Sequence, residues 1–294
     1  MPKHPRPRRR QTVQSNTYRF FVDADALHGR EVAIEDAELA HQLGAVLRLR
    51  PGERMLLLDN SGWQYVVALN TLVDDRVTGT VERKELAGGE PRTKLTLYVA
   101  LLRPERFEWV LQKGTELGVS AFVPVICERS TIADADELSE RKLDRWRRIV
   151  REAAEQSRRG KLPRLAPALL FPAACEQAAR RAQALLLWEG AGVPPLRRIL
   201  SESSQPAAAE ELKIEDRRSR IGTARSAILD PRSSAHPFSI ALLSGPEGGF
   251  SAGEFETASR YGIIPVTLGP RTLRAETAPI VAASAILYEM GDLD

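Results

Sequence analysis

Two short loops in the last fifty residues carry residue types that could do chemistry. "GPEGG" at 245–249 follows one apolar run, and "GPRTLRAET" at 269–277 follows the next. Glycines let a ligand approach the backbone closely, while Arg274 and Glu276 add a fixed cation and a carboxylate. A cation placed beside a reacting group stabilises negative charge that develops there. The two loops therefore predict a ligand site with a charge-stabilising arginine.

The first loop restricts the kind of ligand. It lacks the lysine and hydroxyl of the GxxxxGK[ST] phosphate loop, and it lacks the GxGxxG dinucleotide fingerprint. Glu247 would repel phosphate groups by simple Coulomb repulsion. S-adenosylmethionine fits this loop because it has no phosphate and carries a sulfonium and an ammonium. The alternative at this point is an ordinary strand-to-helix turn in which Glu247 faces solvent.

The elements around these loops alternate between strand and helix after Lys94. The strand-type runs are "KLTLYVALL", "AFVPVIC", "ALLLWEG", "FSIALLS" and "IIPVTLG". Ser251 and Glu254 have capping-box spacing, so a helix should begin there and end near Gly262. The pattern predicts an α/β unit with a parallel sheet and helices on both faces. Both loops then lie at the carboxyl edge of the sheet, where ligands bind in such folds.

The N-terminal third of the chain does not alternate between predicted strands and helices. Residues 1–17 are basic and contain proline, and they predict a disordered arm. Short β-type runs separated by turns then predict a small barrel over 18–88, with one helical segment at Ala37–Leu47. The second domain is expected to span 92–294. Residues 201–236 lose the alternating pattern and predict a mobile surface insertion.

Composition excludes several classes of protein. The chain has 294 residues, a hydrophobic fraction of 43% and a net charge of +3. No apolar run approaches the ~20 residues that span a bilayer, and no secretory signal is present. The two cysteines and four histidines show no metal-binding spacing. We therefore expect a cytoplasmic protein without a membrane segment, disulfide framework or metal.

Basic residues cluster in the arm and again between Arg141 and Lys161. Such clusters suit a polyanionic partner such as RNA. A solvated helix surface is the alternative interpretation.

"LLSGPEGGFSAGEF" at 242–255, followed by "VTLGPRTLRAETA" at 266–278, resembles the RsmE family within the SPOUT superfamily of RNA methyltransferases. Further blocks resemble the same family in the same order: "RFFV", "AHQLGAVLRLRPGE", "QKGTELGVSAFVPVICERS" and "RWRRIVREAAEQSRR". The resemblance covers most of the chain from Arg19 onward. It implies an S-adenosylmethionine-dependent enzyme that methylates N3 of a uridine in the decoding region of 16S ribosomal RNA.

The same resemblance implies an architecture and a set of functional residues. The expected fold is a PUA-like RNA-binding barrel followed by a trefoil-knotted methyltransferase domain that forms a homodimer. Arg274 is expected to stabilise the uridine anion, and Glu276 to act as orienter or base, or only to favour the start of the last helix. The expected RNA contacts are Arg19, His41, Arg48, Arg159 and Lys161. The expected cofactor contacts are Leu243, Gly245, Pro246, Glu247, Gly248, Gly249, Leu268, Gly269, Leu273 and Arg274.

Two departures and two alternatives accompany this interpretation. Gly160 and Lys161 stand where the family usually has a polar residue and an arginine, which affects the expected RNA contact. A SPOUT enzyme acting on another acceptor, such as a ribose 2′-hydroxyl, is one alternative. A non-catalytic RNA-binding or ribosome-assembly protein is the other. The expected substrate is 16S ribosomal RNA within the 30S subunit.

Overall fold

A computed structural model of the chain describes these residues: 18–73, 75–130, 139–204 and 239–293. The predicted arm at 1–17 and residues 205–236 of the predicted insertion lie outside the described residues. Residues 201–204 form the end of a helix. Two units make up the chain, the first comprising 1–89 with 158–161 and the second 90–157 with 162–294.

The first unit contains a mixed six-stranded sheet. Its strands are β1 (Arg19–Phe21), β2 (Leu27–His28), β3 (Glu31–Glu35), β4 (Arg54–Leu58), β5 (Trp63–Val73) and β6 (Arg76–Leu86). The spatial order is β1-β4-β5-β6-β3-β2, with β1 parallel to β4 and the other pairs antiparallel. The β-type runs of this part of the sequence are "YRFFV", "RMLLLD", "WQYVVAL" and "RVTGTVERK", and they correspond to β1, β4, β5 and β6. Strands β2 and β3 have no counterpart in the prediction.

The predicted helical segment of this unit begins where a side chain caps it. The carboxylate of Asp36 accepts hydrogen bonds from the N–H groups of Glu38 and Leu39, which starts helix α1 (Ala37–His41). The helix then widens into a π-type turn over Gln42–Val46. Apolar side chains of the turn, the helix and the sheet share one core, with Leu43, Met55 and Leu57 fully buried.

The second unit is built on seven parallel strands. They are β7 (Lys94–Ala100), β8 (Ala121–Ile126), β9 (Arg164–Leu165), β10 (Leu169–Leu170), β11 (Gln183–Leu187), β12 (Ser239–Ser244) and β13 (Ile264–Val266). Their order is β10-β8-β7-β12-β11-β13, and β9 pairs with β8 beside β10. Strand β12 thus lies between β7 and β11. This confirms the predicted parallel sheet.

Helices cover both faces of this sheet, as predicted. They are α2 (Pro104–Leu117), α3 (Glu140–Gln156), α4 (Phe171–Arg181), α5 (Leu196–Ser204), α6 (Ala252–Arg260) and α7 (Thr277–Glu289). Helices α2, α3, α5 and α7 share one apolar core with the sheet, and α4 and α6 share the other. None of the described helices combines the length and apolarity needed to cross a bilayer.

Strand β12 shows how the sequence divides its side chains between the two faces. Ile240 and Leu242 pack toward the first helical layer, whereas Ala241 and Leu243 pack toward α4 and α6. This alternation is the expected consequence of the two-residue period of a strand. With apolar residues on both faces, the strand belongs at the centre of a sheet covered on both sides.

Candidate active site

A cavity of about 510 Å³ lies at the carboxyl ends of β11, β12 and β13. Its size falls within the ~300–1,000 Å³ usual for small-molecule sites. Parallel strands place their following loops at one edge of the sheet, and these loops form most of the wall. The lining residues are Arg106, 187–189, 244–247, 249, 250, 266–275 and Ala278.

The glycine turn after β12 has the backbone form that its sequence requires. The N–H of Gly249 donates to the carbonyl of Pro246 at 2.9 Å, and Gly249 has φ +68°. A side chain is strained in this left-handed region, so glycine is needed there. Ser251 and Glu254 form the predicted capping box, in which each side chain accepts from the backbone N–H of the other.

The segment after β8 also holds the turn in place through hydrogen bonds. Oε1 of Glu254, a side chain that is 8% exposed, accepts from the N–H of Glu128 at 2.9 Å. Nη1 of Arg129 donates to the carbonyl of Gly248 at 2.8 Å. The glycine turn and the start of α6 are thus held in place by two contacts from residues more than a hundred positions earlier.

Two buried cysteines pack in the core beneath this turn. Burial, followed by the negative charge of Glu254, raises the pKa of the Cys175 thiol to about 12. Burial, followed by the charge and hydrogen bond of Glu254, also raises the pKa of Cys127. Because a thiolate is the reactive form of cysteine, neither residue is suited to act as a nucleophile.

Glu247 lines the cavity, as predicted, and also has protein partners in the structure. Its Oε1 accepts from the N–H of Arg103 at 3.3 Å and lies 3.5 Å from Nη1 of Arg106. The same Nη1 lies 3.7 Å from Oε2 of Glu276. Arg106, in the first turn of α2, therefore joins the glycine turn to the loop before α7. Glu247 therefore takes part in this network as well as lining the cavity.

Most of the predicted cofactor residues line the cavity. The exceptions are Leu243 and Gly248. Leu243 is 1% exposed, because its position on β12 directs it into the core beside α4 and α6. Gly248 lies against the side chain of Arg129, so a β-carbon there would come within 3.3 Å of it.

The predicted catalytic pair lies in the loop before α7. Arg274 lines the cavity and is exposed, and no carboxylate in the described part of the chain pairs with it. Its carbonyl accepts from the N–H groups of Thr277 and Ala278, which fixes the loop to the start of α7. Glu276 is mostly buried beside Arg106, and its Oε2 makes no hydrogen bond within the described chain.

The predicted RNA contacts all fall in the first unit. His41, Arg48 and Lys161 are exposed. Arg19 instead binds within the unit: Nη1 donates to the carbonyl of Arg158 at 2.8 Å, and Nη2 donates to Gln64 Oε1 at 2.9 Å. Burial, followed by the charge of Arg158, lowers the pKa of Arg19.

Arg159 needs a correction. It is only 3% exposed, so its side chain is part of the interior and does not face an RNA backbone. The neighbouring Gly160 explains the close packing of this segment. A β-carbon at Gly160 would lie 2.6 Å from the side chain of Ala87.

Sequence reasoning missed several residues of the cavity wall, among them Arg106, Trp188 and Glu189. Arg106 lies in a helix that follows β7, and only the adjacency of β7 and β12 brings it to the glycine turn. Trp188 and Glu189 follow directly after β11, so their position after a buried strand is a signal that could have found them. The ring of Trp188 packs 4.5 Å from that of Phe255.

The residues that the structure describes contain no cluster of three or more histidine, cysteine or acidic side chains that could hold a metal ion.

The chain is similar to known RNA methyltransferases over most of its length. A family model described as an RNA methyltransferase domain matches residues 89–287. The ribosomal RNA small subunit methyltransferase E of Synechocystis is 34% identical over 92% of this chain and 77% of its own length. The Bacillus subtilis protein of the same name is 30% identical, over 86% and 88%.

A solved structure is similar over both units. The ribosomal RNA small subunit methyltransferase E from Neisseria gonorrhoeae, bound to S-adenosylmethionine, superposes with a TM-score of 0.71 at 27% identity. The alignment covers 93% of this chain and 98% of that one.

Proposed function

The chain belongs to the ribosomal RNA small subunit methyltransferase E family, and on this premise we propose that it methylates N3 of a uridine in the decoding region of 16S ribosomal RNA. It is an S-adenosylmethionine-dependent ribosomal RNA methyltransferase. The observation that carries the proposed acceptor is Arg274, an arginine with no carboxylate partner among the described residues, on the wall of a cavity whose glycine turn lacks the phosphate-loop and dinucleotide patterns. We place its action on the small ribosomal subunit in the cytoplasm.

The cavity fits S-adenosylmethionine by its size and by the chemistry of its wall. The glycine turn around Gly245 and Gly249 offers backbone groups at close range, and Leu268, Gly269 and Leu273 form the facing wall. These residues would hold the adenosine part through backbone contacts and apolar surface. When bound, the cofactor supplies an electrophilic methyl group.

Arg274 supplies the charge needed at the acceptor. N3 of uridine carries a proton at neutral pH, so an attack through this atom requires that negative charge develops on the base. A fixed cation in a partly enclosed site stabilises such charge without reorganising at the moment of reaction. Arg274 is suited to this role because no carboxylate of the described chain neutralises it.

Glu276 is better suited to positioning than to accepting the proton. Its Oε2 faces Arg106 at 3.7 Å, and the side chain is mostly buried at the start of α7. We assign it the task of fixing the loop that carries Arg274. Arg106 shares this task, because it contacts both this loop and the glycine turn.

The first unit is proposed to be the PUA-like part that binds the RNA. His41, Arg48 and Lys161 are exposed cations or titratable groups on this unit, and basic side chains of this kind bind the phosphate backbone. Arg19 supports the proposal indirectly, because it holds the segment that contains Lys161 through the carbonyl of Arg158.

We further propose that the second unit is knotted and pairs with a second copy of the chain. An exposed apolar surface on α2 and α7 supports the pairing, because contiguous apolar patches on soluble proteins mark interfaces. Its exposed large side chains are Trp109, Val281, Tyr288 and Leu293. Val281→Glu should give a monomer in sedimentation velocity, whereas Glu289→Gln, an exposed change on the same helix, should leave a dimer. A monomeric wild-type protein would refute the pairing.

The proposed reaction is tested by transfer of labelled methyl groups to 30S subunits that lack the modification. Nucleoside analysis should find the label in 3-methyluridine. Arg274→Ala should abolish transfer while calorimetry shows retained binding of S-adenosylmethionine. Arg197→Ala, an exposed arginine outside the cavity wall, is the matched control and should keep full activity.

Three other results of this experiment would contradict part of the proposal. A ribose-methylated nucleoside would replace the proposed acceptor with a 2′-hydroxyl. Absence of label with intact cofactor binding would favour a non-catalytic RNA-binding protein. Full activity of Arg274→Ala would remove the proposed role of this arginine.

A further inference from the structure

Some charged side chains on the cavity wall have an ion-pair partner among the described residues, and others do not. Glu247 and Arg106 neutralise each other across 3.5 Å. Glu189, Arg271 and Arg274 also line the cavity, and none of them has an ion-pair partner within the described residues. Glu189 is thus the one uncompensated carboxylate among the lining residues that the structure describes.

The three uncompensated charges come from different loops. Arg271 and Arg274 belong to the loop after β13, whereas Glu189 belongs to the loop after β11. Glu189 lies against the backbone of the glycine turn, because a β-carbon built on Gly249 would meet its Oε1 at 2.5 Å. The positive φ of Gly249 requires glycine there, and the absence of a side chain lets the Glu189 carboxylate lie close to the turn. The acidic side of the cavity is the glycine-turn side.

From this arrangement we infer that Glu189 binds the α-ammonium group of S-adenosylmethionine. The inference rests on the proposed function and adds the orientation of the cofactor's amino-acid end. A carboxylate and an ammonium form a charge-assisted hydrogen bond, which is about twice as strong as a neutral one. The arginines of the opposite loop are left for the negative charge of the acceptor.

The ammonium is a better partner for Glu189 than the sulfonium. The sulfonium charge is lost when the methyl group leaves, so a carboxylate beside it would stabilise the reactant more than the transition state. Such an interaction lowers KM at the expense of kcat. The ammonium keeps its charge throughout the reaction, so binding it costs no catalytic rate.

The inference is tested by calorimetric titration of the wild type and Glu189→Gln with three compounds. S-adenosylmethionine and S-adenosylhomocysteine both carry the ammonium, and only the former carries the sulfonium. 5′-Methylthioadenosine lacks the whole amino-acid part. Loss of a charged hydrogen bond should weaken binding of the first two equally, by about tenfold or more, and leave the third unchanged. In steady-state assays, Glu189→Gln should raise KM for S-adenosylmethionine with kcat retained.

Glu256→Gln is the matched control, because Glu256 is an exposed glutamate on α6 outside the cavity wall. It should change none of the three affinities. Weakened binding of S-adenosylmethionine alone would place Glu189 beside the sulfonium and overturn the inference. Equal weakening of all three compounds would show a distorted loop, and unchanged binding of all three would show a solvated carboxylate; both overturn it. Failure of the wild type to bind S-adenosylmethionine would instead refute the proposed function.

Discussion

Replacing Glu254 by alanine should destabilise the second unit more than any exposed change on the same helix. The carboxylate accepts from the N–H of Ser251 at 2.8 Å and from the N–H of Glu128 at 2.9 Å. Alanine removes both acceptors at once. It also removes the negative charge from the first turn of α6, where it interacts favourably with the helix dipole.

The expected size follows from the burial of the two donors. The N–H of Ser251 is buried, and leaving such a donor unsatisfied costs about 1–3 kcal/mol. The N–H of Glu128 is only partly buried, so a water molecule can replace part of the hydrogen bond that it loses. With half of the capping box gone, the total loss in the free energy of unfolding should be about 2–4 kcal/mol. For a unit of this size, that corresponds to a Tm lower by roughly 5–15 °C.

The assay is thermal and urea unfolding of Glu254→Ala beside Glu256→Ala, an exposed glutamate two positions later. The control should stay within about 0.5 kcal/mol of the wild type. Glu254→Ala should also bind S-adenosylmethionine more weakly, because the glycine turn ends where the capping box begins. If Glu254→Ala unfolds at the same temperature as the control, the reasoning that the carboxylate fastens the turn is refuted.

Three further predictions concern other groups in the second unit. Cys127 and Cys175 should resist iodoacetamide at pH 8 and react once the protein is unfolded in urea. Raising the Cys175 pKa from 9.0 to about 12 leaves roughly a thousandfold less thiolate, which is the form that reacts. Fast labelling of the native protein would contradict this prediction. Burial of Asp292 raises its pKa, but hydrogen bonds from Thr93 and the Arg92 N–H outweigh this effect, so the net pKa lies below the ordinary value. The ionised carboxylate therefore stabilises the fold above the unfolded-state pKa, and this stabilisation is lost as the pH falls through the lowered pKa. Asp292→Asn should therefore cost about 1–3 kcal/mol at pH 7 and little near pH 2 by urea unfolding, with an equal loss at both pH values as the contrary result. Arg106→Met should lower both kcat and the affinity for S-adenosylmethionine, with partial rescue by Arg106→Lys; normal values for Arg106→Met in assays of both would show that the bridge to Glu247 is dispensable.

The parts of the fold that could be predicted are those encoded by neighbouring residues. Ser251 and Glu254 are three positions apart, and their spacing alone predicts the start of α6. Gly118 ends α2 in a left-handed conformation, as a glycine after a helical pattern suggests. Lys113 and Glu116 are three positions apart on α2, a spacing that favours pairing on a helix, and they form an ion pair at 2.8 Å. In each case, the physical cause lies within one helical turn.

The parts that could not be predicted depend on distant residues. Arg106 and Glu247 are about 140 positions apart, and no local pattern links them. Arginine is a residue type that usually lies on the surface, yet the segment of Arg159 packs into the first unit through Gly160. The short strands β2 and β3 take their stability from pairing with each other and with β6 rather than from a strong local pattern.

The central position of β12 has a consequence for the time at which the enzyme becomes competent. During synthesis, β7 and β11 leave the ribosome long before β12, which must then enter between them. Pairing between strands so distant in sequence is slow, because a long loop must close first. The glycine turn and the Arg274 loop lie beyond β12, so a nascent chain that has not yet reached them lacks these two parts of the cavity wall. A chain that ends before β12 therefore lacks most of the residues proposed to bind the methyl donor.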